Sequence, residues 1–249
     1  MVAVGAVPPQ TVADVVARLR ALESTLPRND GVACFARLYR EVTEGVQGQI
    51  AGGTFANPRC LARLDVVFAG HFFAALDAYE RDPRSAPRAW VPLFERRARG
   101  RTAPLQFALA GMNAHVNRDL PVALVEVFGE LQLELREDCP EHADFEHVNA
   151  LLATVEQRVK ASYLTGWLRV LDRVLNRYDR LDDVLAMWNV ARARDAAWTN
   201  AQALSALRAL PELATDFVTT LDRTVGLASR GLLVPSDPFL DGLIRRLRG

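Results

Sequence analysis

The chain has 249 residues, with 30 basic and 30 acidic side chains and half of its residues hydrophobic, enough for one large domain or two small ones with a sizeable core. The zero formal charge removes the electrostatic argument for nucleic acid or an anionic membrane surface as the main partner. Three scattered cysteines (Cys34, Cys60, Cys139) make no disulfide framework, the first ten residues lack a basic n-region, and no charge-free apolar run reaches about 18 residues, so the expectation is a cytoplasmic protein without a membrane span.

Thr11 opens a first helix: an acid stands three residues after it, and Val12, Val15, Val16, Leu19 and Leu22 follow at helical spacing. Pro27 and Asn29-Asp30-Gly31 break the chain, and a second helix starts under Asp30 with Phe35, Leu38, Tyr39, Val42 and Val46 on one face. Gly52-Gly53 and Asn57-Pro58 mark a loop, after which a very apolar helix runs from about Pro58 to Glu80. The connection Arg81–Thr102 has room for a short helix around Val91–Arg97 at most, because Pro87 and Pro92 interrupt it. The stretch Pro104–Leu135 reads as two helices with a break at Asp119–Pro121, and Cys139-Pro140 ends it. Further helices are predicted from about Asp144 to Leu175 with a candidate break at Gly166, then Leu181–Leu207, Pro211–Val225 and Phe239–Leu247. The only alternating runs, VEVF and LQLEL, lie in helical context, and there is no repeat, low-complexity tract or domain linker. The expectation is an all-α, single-domain helical bundle of about eight to ten helices over residues 1–249, with residues 1–10 a flexible N-terminus.

Polar residues that fall on apolar faces are the candidates for function. In the Pro58–Glu80 helix, Leu61, Phe68, Phe72 and Leu76 form the central stripe, and Asp65 lies inside it. A carboxylate there needs a cationic, metal or hydrogen-bonding partner, either a structural Arg or helix N-terminus or a functional site. His71 lies off the centre, beside Leu64. The densest interruption is Gly111-Met-Asn-Ala-His-Val-Asn-Arg-Asp119. His115 and Asp119, four apart, share one flank of its apolar face, while Asn113 and Asn117 share the other with Gln106 upstream. The acid can orient the imidazole for proton transfer, or the two can share a metal. The structural alternatives are equally concrete: Asp119 as N-cap of the next helix, His115 on its own helix carbonyls, and the asparagines as core amides. In Leu181–Leu207, Val184, Trp188, Ala191 and Trp198 define a face that contains Asp195 and Gln202 and is bordered by Arg192. This predicts either a buried Arg–Asp brace or a pocket wall in which Trp188 and Trp198 cover ligand and Arg192 holds an anion.

Familiar signatures are absent: no GxxxxGK[ST], no Rossmann glycine fingerprint, no HExxH, no GxSxG. Cys139-Pro-Glu-His142 with His147 has only superficial zinc spacing, and the pair Asp182-Asp183 suits a helix start. Lys160 is the only lysine, so Schiff-base chemistry would rest on it alone, and nothing beside it lowers its pKa.

The segments Asn29–Phe35, Leu64–Phe68, Ala89–Glu95 and above all Gln106–Pro121, with Ala191-Arg192 and Ala197-Trp198, resemble an uncharacterised helical family associated with actinobacteria. The resemblance implies a common fold and no particular reaction.

The functional expectation is an enzyme acting on a small, partly apolar molecule by acid/base chemistry (hydrolysis, cyclisation or isomerisation). His115 would be the acid/base, Asp119 would orient it, Asp65 would be a second acid, and Asn113, Asn117, Arg192, Trp188 and Trp198 would contact substrate. No cofactor is assigned; a metal-dependent hydrolase would use His115, Asp119 and Asp65, with His71 swinging in. The alternative class is a non-catalytic binding or scaffold protein whose polar cluster fixes helix packing.

Overall fold

The computed structural model describes residues 7–98, 102–154 and 189–234. Several helices begin where a side chain takes the free N–H groups of the first turn. In α1 (Val12–Thr25), Thr11 Oγ1 accepts from Asp14 N at 3.1 Å, and the Asp14 carboxylate returns a bond to Thr11 N at 2.9 Å. Asp30 caps α2 (Gly31–Ala51) through Val32 N at 2.8 Å and also receives Arg97 Nε at 2.9 Å, which binds the start of α2 to the end of α4 (Val91–Arg96). Pro92 is tolerated in α4 because it lies in the first turn. Asn57 caps α3 (Pro58–Arg81), assisted from a distance: Asp144 accepts from Ala56 N and Asn57 N at 2.8 and 2.7 Å. Asp144 therefore caps another helix rather than its own.

The helix α5 (Pro104–Ala114) does not stop at the expected break. It continues through one wide π turn, His115–Asp119, directly into α6 (Leu120–Glu130). The reason is Pro121. An α-helical residue there would donate to the Asn117 carbonyl; proline has no N–H and its ring clashes with that oxygen. Widening the turn, with Leu120 N–H reaching back to the His115 carbonyl, relieves the clash without ending the helix.

Residues 140–154 are helical (α7), starting four residues before the predicted Asp144. In place of a start at Leu181, Asn189 caps α8 (Val190–Ala206) through Arg192 N at 3.1 Å. After a 3-10 turn, α9 (Pro211–Leu232) runs seven residues past the predicted Val225. The expectations at Lys160, Gly166, Asp182-Asp183, Trp188 and Phe239–Leu247 lie outside the described residues. Among the described residues there is no strand and no helix long and apolar enough to cross a membrane. The architecture is an all-α bundle.

The bundle is organised around α5, which packs on α2 on one side and on α9 on the other, with α1 against α2, α3 against α6 and α6 against α8. One continuous core runs through these helices, with Phe35, Phe72, Phe73, Trp90 and Phe107 among its fully buried side chains. On α9, Asp222 accepts from Arg88 N at 2.7 Å and Ala89 N at 3.1 Å, gripping the loop just before Trp90. One turn on, Gly226 lets the Arg88 carbonyl approach so closely that a Cβ would lie 2.5 Å from its oxygen. The obstacle is backbone and cannot rotate away. Gly226→Ala should therefore destabilise the protein by about 1–3 kcal/mol, read as a lower urea midpoint at unchanged slope; an unchanged midpoint would contradict this packing.

Candidate functional site

The π turn brings His115 and Asp119 onto the same inner wall, and both are fully buried. Asp119 Oδ2 accepts from Trp90 Nε1 at 2.9 Å and lies 3.0 Å from His115 Nδ1; Oδ1 accepts from Arg118 Nη1 at 2.8 Å. Arg118 Nε is 3.6 Å from Asp222, the residue that holds the Trp90 loop. Burial opposes ionisation of Asp119, but its bond with His115 and the neighbouring positive charges outweigh it and hold the carboxyl below the usual range. An ionised carboxylate only accepts hydrogen bonds, so Nδ1 of His115 carries the proton and donates it. Burial lowers the His115 pKa, with Asp119 only partly offsetting it, so the ring is neutral near pH 7.

That tautomer leaves Nε2 with a lone pair, and among the described residues the buried Nε2 has no hydrogen-bond partner. The ring itself is held among aromatic side chains. Phe68 stacks on it at 3.5 Å and 5°, Tyr39 meets it edge-on at 4.6 Å, and Phe35 and Trp90 lie at 5.6 and 5.9 Å. Phe35 can sit there because position 111 is glycine: a Cβ would be 2.4 Å from its ring.

His115 lines a cavity of about 60 Å³ whose walls come from α2, α3, α5, α6, the π turn, α7 and α8. Asp65 and Tyr39 line it too. Asp65 is half-buried as a residue, but its Oδ2 is fully buried, and like the Tyr39 hydroxyl it has no partner among the described residues. Among the described residues no Arg or helix N-terminus meets Asp65. Burial pushes the Asp65 carboxyl up to about 7 and raises the Tyr39 hydroxyl, with Asp65 adding to the latter. The rest of the wall is largely apolar, including Val42, Val46, Leu61, Leu64, Val148 and Leu152.

Other expectations are redistributed. Asp119 makes no cap bond to α6, its oxygens being occupied by Trp90, His115 and Arg118. Asn113 does not reach the cavity: its Nδ2 donates to the Val225 carbonyl and Ser229 Oγ on α9 at 3.1 and 3.0 Å, and its Oδ1 accepts from Asn117. Gln106 donates to the carbonyls of Leu232 and Val234 at the other end of the same stripe. His71 faces Glu126, 3.2 Å away. Arg192 and Asp195 are exposed, because the inner face of α8 is Val190, Arg194, Ala197, Trp198, Ala201 and Leu204; the expected Arg–Asp brace is instead Arg194 on Asn149 and the Phe145 carbonyl. Trp198 is buried against Phe128 and Phe145, beside a separate cavity of about 10 Å³. Trp188 is outside the described residues.

The metal-site variant does not fit the donors. Both oxygens of Asp119 already accept from N–H groups, and Nδ1 of His115 is one of those donors. Among the described residues no group of three or more His, Cys, Asp or Glu has the geometry to hold a metal ion. Cys139 and His142 bond the carbonyls of Arg136 and Glu137 in their own turn.

Four residues of the site escaped the sequence reading as functional groups. Tyr39 and Phe68 were counted as apolar faces, Trp90 stood in a proline-rich connection, and Arg194 was hidden by a helix-face assignment one residue out of register.

Fold and centre together define an all-α bundle with a buried Asp–His pair beside a mixed polar and apolar cavity. The chain belongs to a family of unknown function, DUF5995, whose model matches residues 12–235. No curated protein and no solved structure matches it.

Folded Asp65 takes up its proton at about pH 7, whereas an unfolded Asp does so near 3.9. Between those values the folded state binds more protons, so this group's contribution to stability falls as pH rises from about 4 to 7 and is flat above. Thermal melts of Asp65→Asn should therefore show a variant more stable than the parent at pH 8, with the advantage vanishing towards pH 4; a difference independent of pH would contradict the assignment.

Proposed function

We propose that this protein is an enzyme that transfers protons on a small, partly apolar molecule held in the cavity between α2, α3, the π turn, α7 and α8. The observation that carries this reading is that three residues lining one cavity, Tyr39, Asp65 and His115, each carry a buried polar atom (Oη, Oδ2 and Nε2) without a hydrogen-bond partner among the described residues. Leaving a buried polar group unsatisfied costs about 1–3 kcal/mol each. A packing network has no use for three such residues on one cavity wall; a site that receives a polar ligand does.

His115 Nε2 is the base, and Asp119 is a positioning residue that fixes the tautomer and stabilises the imidazolium formed when Nε2 takes a proton. Asp65 exchanges its proton near pH 7 and serves as the acid, so one group accepts and another donates within the same chamber. Isomerisation, cyclisation and hydrolysis all use that pairing. Such acid/base assistance contributes typically 10²–10⁴-fold to rate. Tyr39 Oη is a hydrogen-bond donor to the bound molecule.

A non-catalytic binding or scaffold role is the second reading. It is favoured by the use of Asn113 and Gln106 to fasten the α9 end of the bundle, with Asn117 bonding Asn113, so that none of the three reaches the cavity.

Two conservative variants separate the readings, because each alters an atom without a hydrogen-bond partner among the described residues. With a panel of small esters, lactones and carbonyl compounds followed by mass spectrometry, the parent should turn over at least one class. Asp65→Asn should lose about 10²-fold or more and Tyr39→Phe a smaller factor, both with melting temperatures at or above the parent's at pH 8. Turnover unchanged in Asp65→Asn and in His115→Gln would overturn the enzymatic reading.

A further inference from the structure

The cavity has one more ionisable wall residue. Arg194, on the inner face of α8, lines it and is only 7% exposed. Its Nε donates to Asn149 Oδ1 at 2.6 Å, its Nη2 donates to the Phe145 carbonyl at 2.7 Å, and its guanidinium lies 3.8 Å over the Phe145 ring. All three contacts come from α7 and all are neutral. Among the described residues no carboxylate lies within ion-pair distance and Nη1 has no hydrogen-bond partner. Burial pulls its pKa down to about 10, which still leaves it charged at neutral pH.

Glu146 and Asp195 act on the guanidinium only through space, and among the described residues no carboxylate pairs with it directly. A buried cation without a direct ionic partner is costly, and a neutral donor would serve Asn149 and Phe145 equally well, so among the described residues the charge is left for a ligand. We infer that Arg194 is the anion-binding residue of this cavity and that the ligand is a small monocarboxylate with an apolar remainder. A guanidinium presents a planar fork matched to a carboxylate. One cation calls for one negative charge; a phosphate dianion would leave a charge unmatched in a chamber that also contains the Asp65 carboxyl. The apolar walls accept the hydrocarbon part. The cavity of about 60 Å³, at roughly 10–15 Å³ per water-sized occupant, has room for roughly four to six non-hydrogen atoms, the size of an acid of two to four carbons. This inference rests on the same cavity being the functional site, but it does not require catalysis.

The test uses the full chain and two probes of one shape, propionate and propionamide, titrated at pH 7 by calorimetry. Propionate should bind saturably, and propionamide about tenfold more weakly or worse. Arg194→Gln should lose about tenfold or more of the propionate affinity, while Arg192→Gln, on the exposed side of the same helix, keeps it within about threefold. Should Arg194→Gln fail to fold, arginine side-chain N–H resonances of the parent decide: one must shift saturably with propionate and not with propionamide. Equal binding of the two probes, or no saturable propionate binding, overturns the inference. The two proposals fail separately. Propionate binding that depends on Arg194, with turnover indifferent to His115 and Asp65, leaves the anion site standing and removes catalysis. Turnover that depends on Asp65, without propionate binding, does the reverse.

Discussion

The carboxylate of Asp119 is the point on which the rest of the structure depends. Burying an ionised carboxylate costs several kcal/mol unless donors replace its water, and here three do: Trp90 from the start of α4, His115 from the π turn and Arg118 beside it. Each donor must be delivered from a different direction, and much of the local architecture can be read as that delivery. Asp222 on α9 holds the backbone before Trp90 and lies beside Arg118, so one helix positions two of the three donors. Gly226 permits the contact and Gly111 admits Phe35 against the imidazole.

Satisfying Asp119 completely has a consequence for His115. With Nδ1 committed to the carboxylate and the ring clamped by Phe68 and Tyr39, the imidazole has one tautomer, one orientation and one free nitrogen. The remaining polar groups of α5 and the π turn divide cleanly. Gln106, Asn113 and Asn117 close their hydrogen bonds on α9 or on each other, away from the cavity. Tyr39, Asp65 and His115, which line one cavity, each leave a buried atom without a partner among the described residues. The first set is packing; the second is where chemistry is proposed.

Much of the fold was legible in the sequence because caps and periodicity are local. Thr11, Asp30 and Pro58 announced their helices, and Asp65, His115 and Asp119 stood out as polar residues on apolar faces. What failed was non-local. A proline in helical context reads as a break, and only the wide turn's alternative carbonyl partner shows how the helix absorbs it. Asp119 and Asp144 carry the residue type of helix caps, yet one is consumed by Trp90, His115 and Arg118, and the other caps α3 across the bundle. On α8 a face drawn through Val184 and Trp188 selected Arg192; with the helix starting after Asn189, the inward arginine is Arg194. Tyr39 and Trp90 were invisible as polar groups because each is mostly hydrocarbon, and only tertiary contact reveals what the hydroxyl or the indole N–H does.

The most direct test of this account is the protonation state of His115 itself, read from the nitrogen-15 shifts and couplings of its ring in solution between pH 5.5 and 8.5 (roughly the range over which an unperturbed histidine titrates). The account predicts a neutral ring near pH 7 with the proton on Nδ1 and an unprotonated Nε2. A proton on Nε2 in the neutral ring, or an imidazolium that persists above pH 7, would contradict it, because no base would then face the cavity.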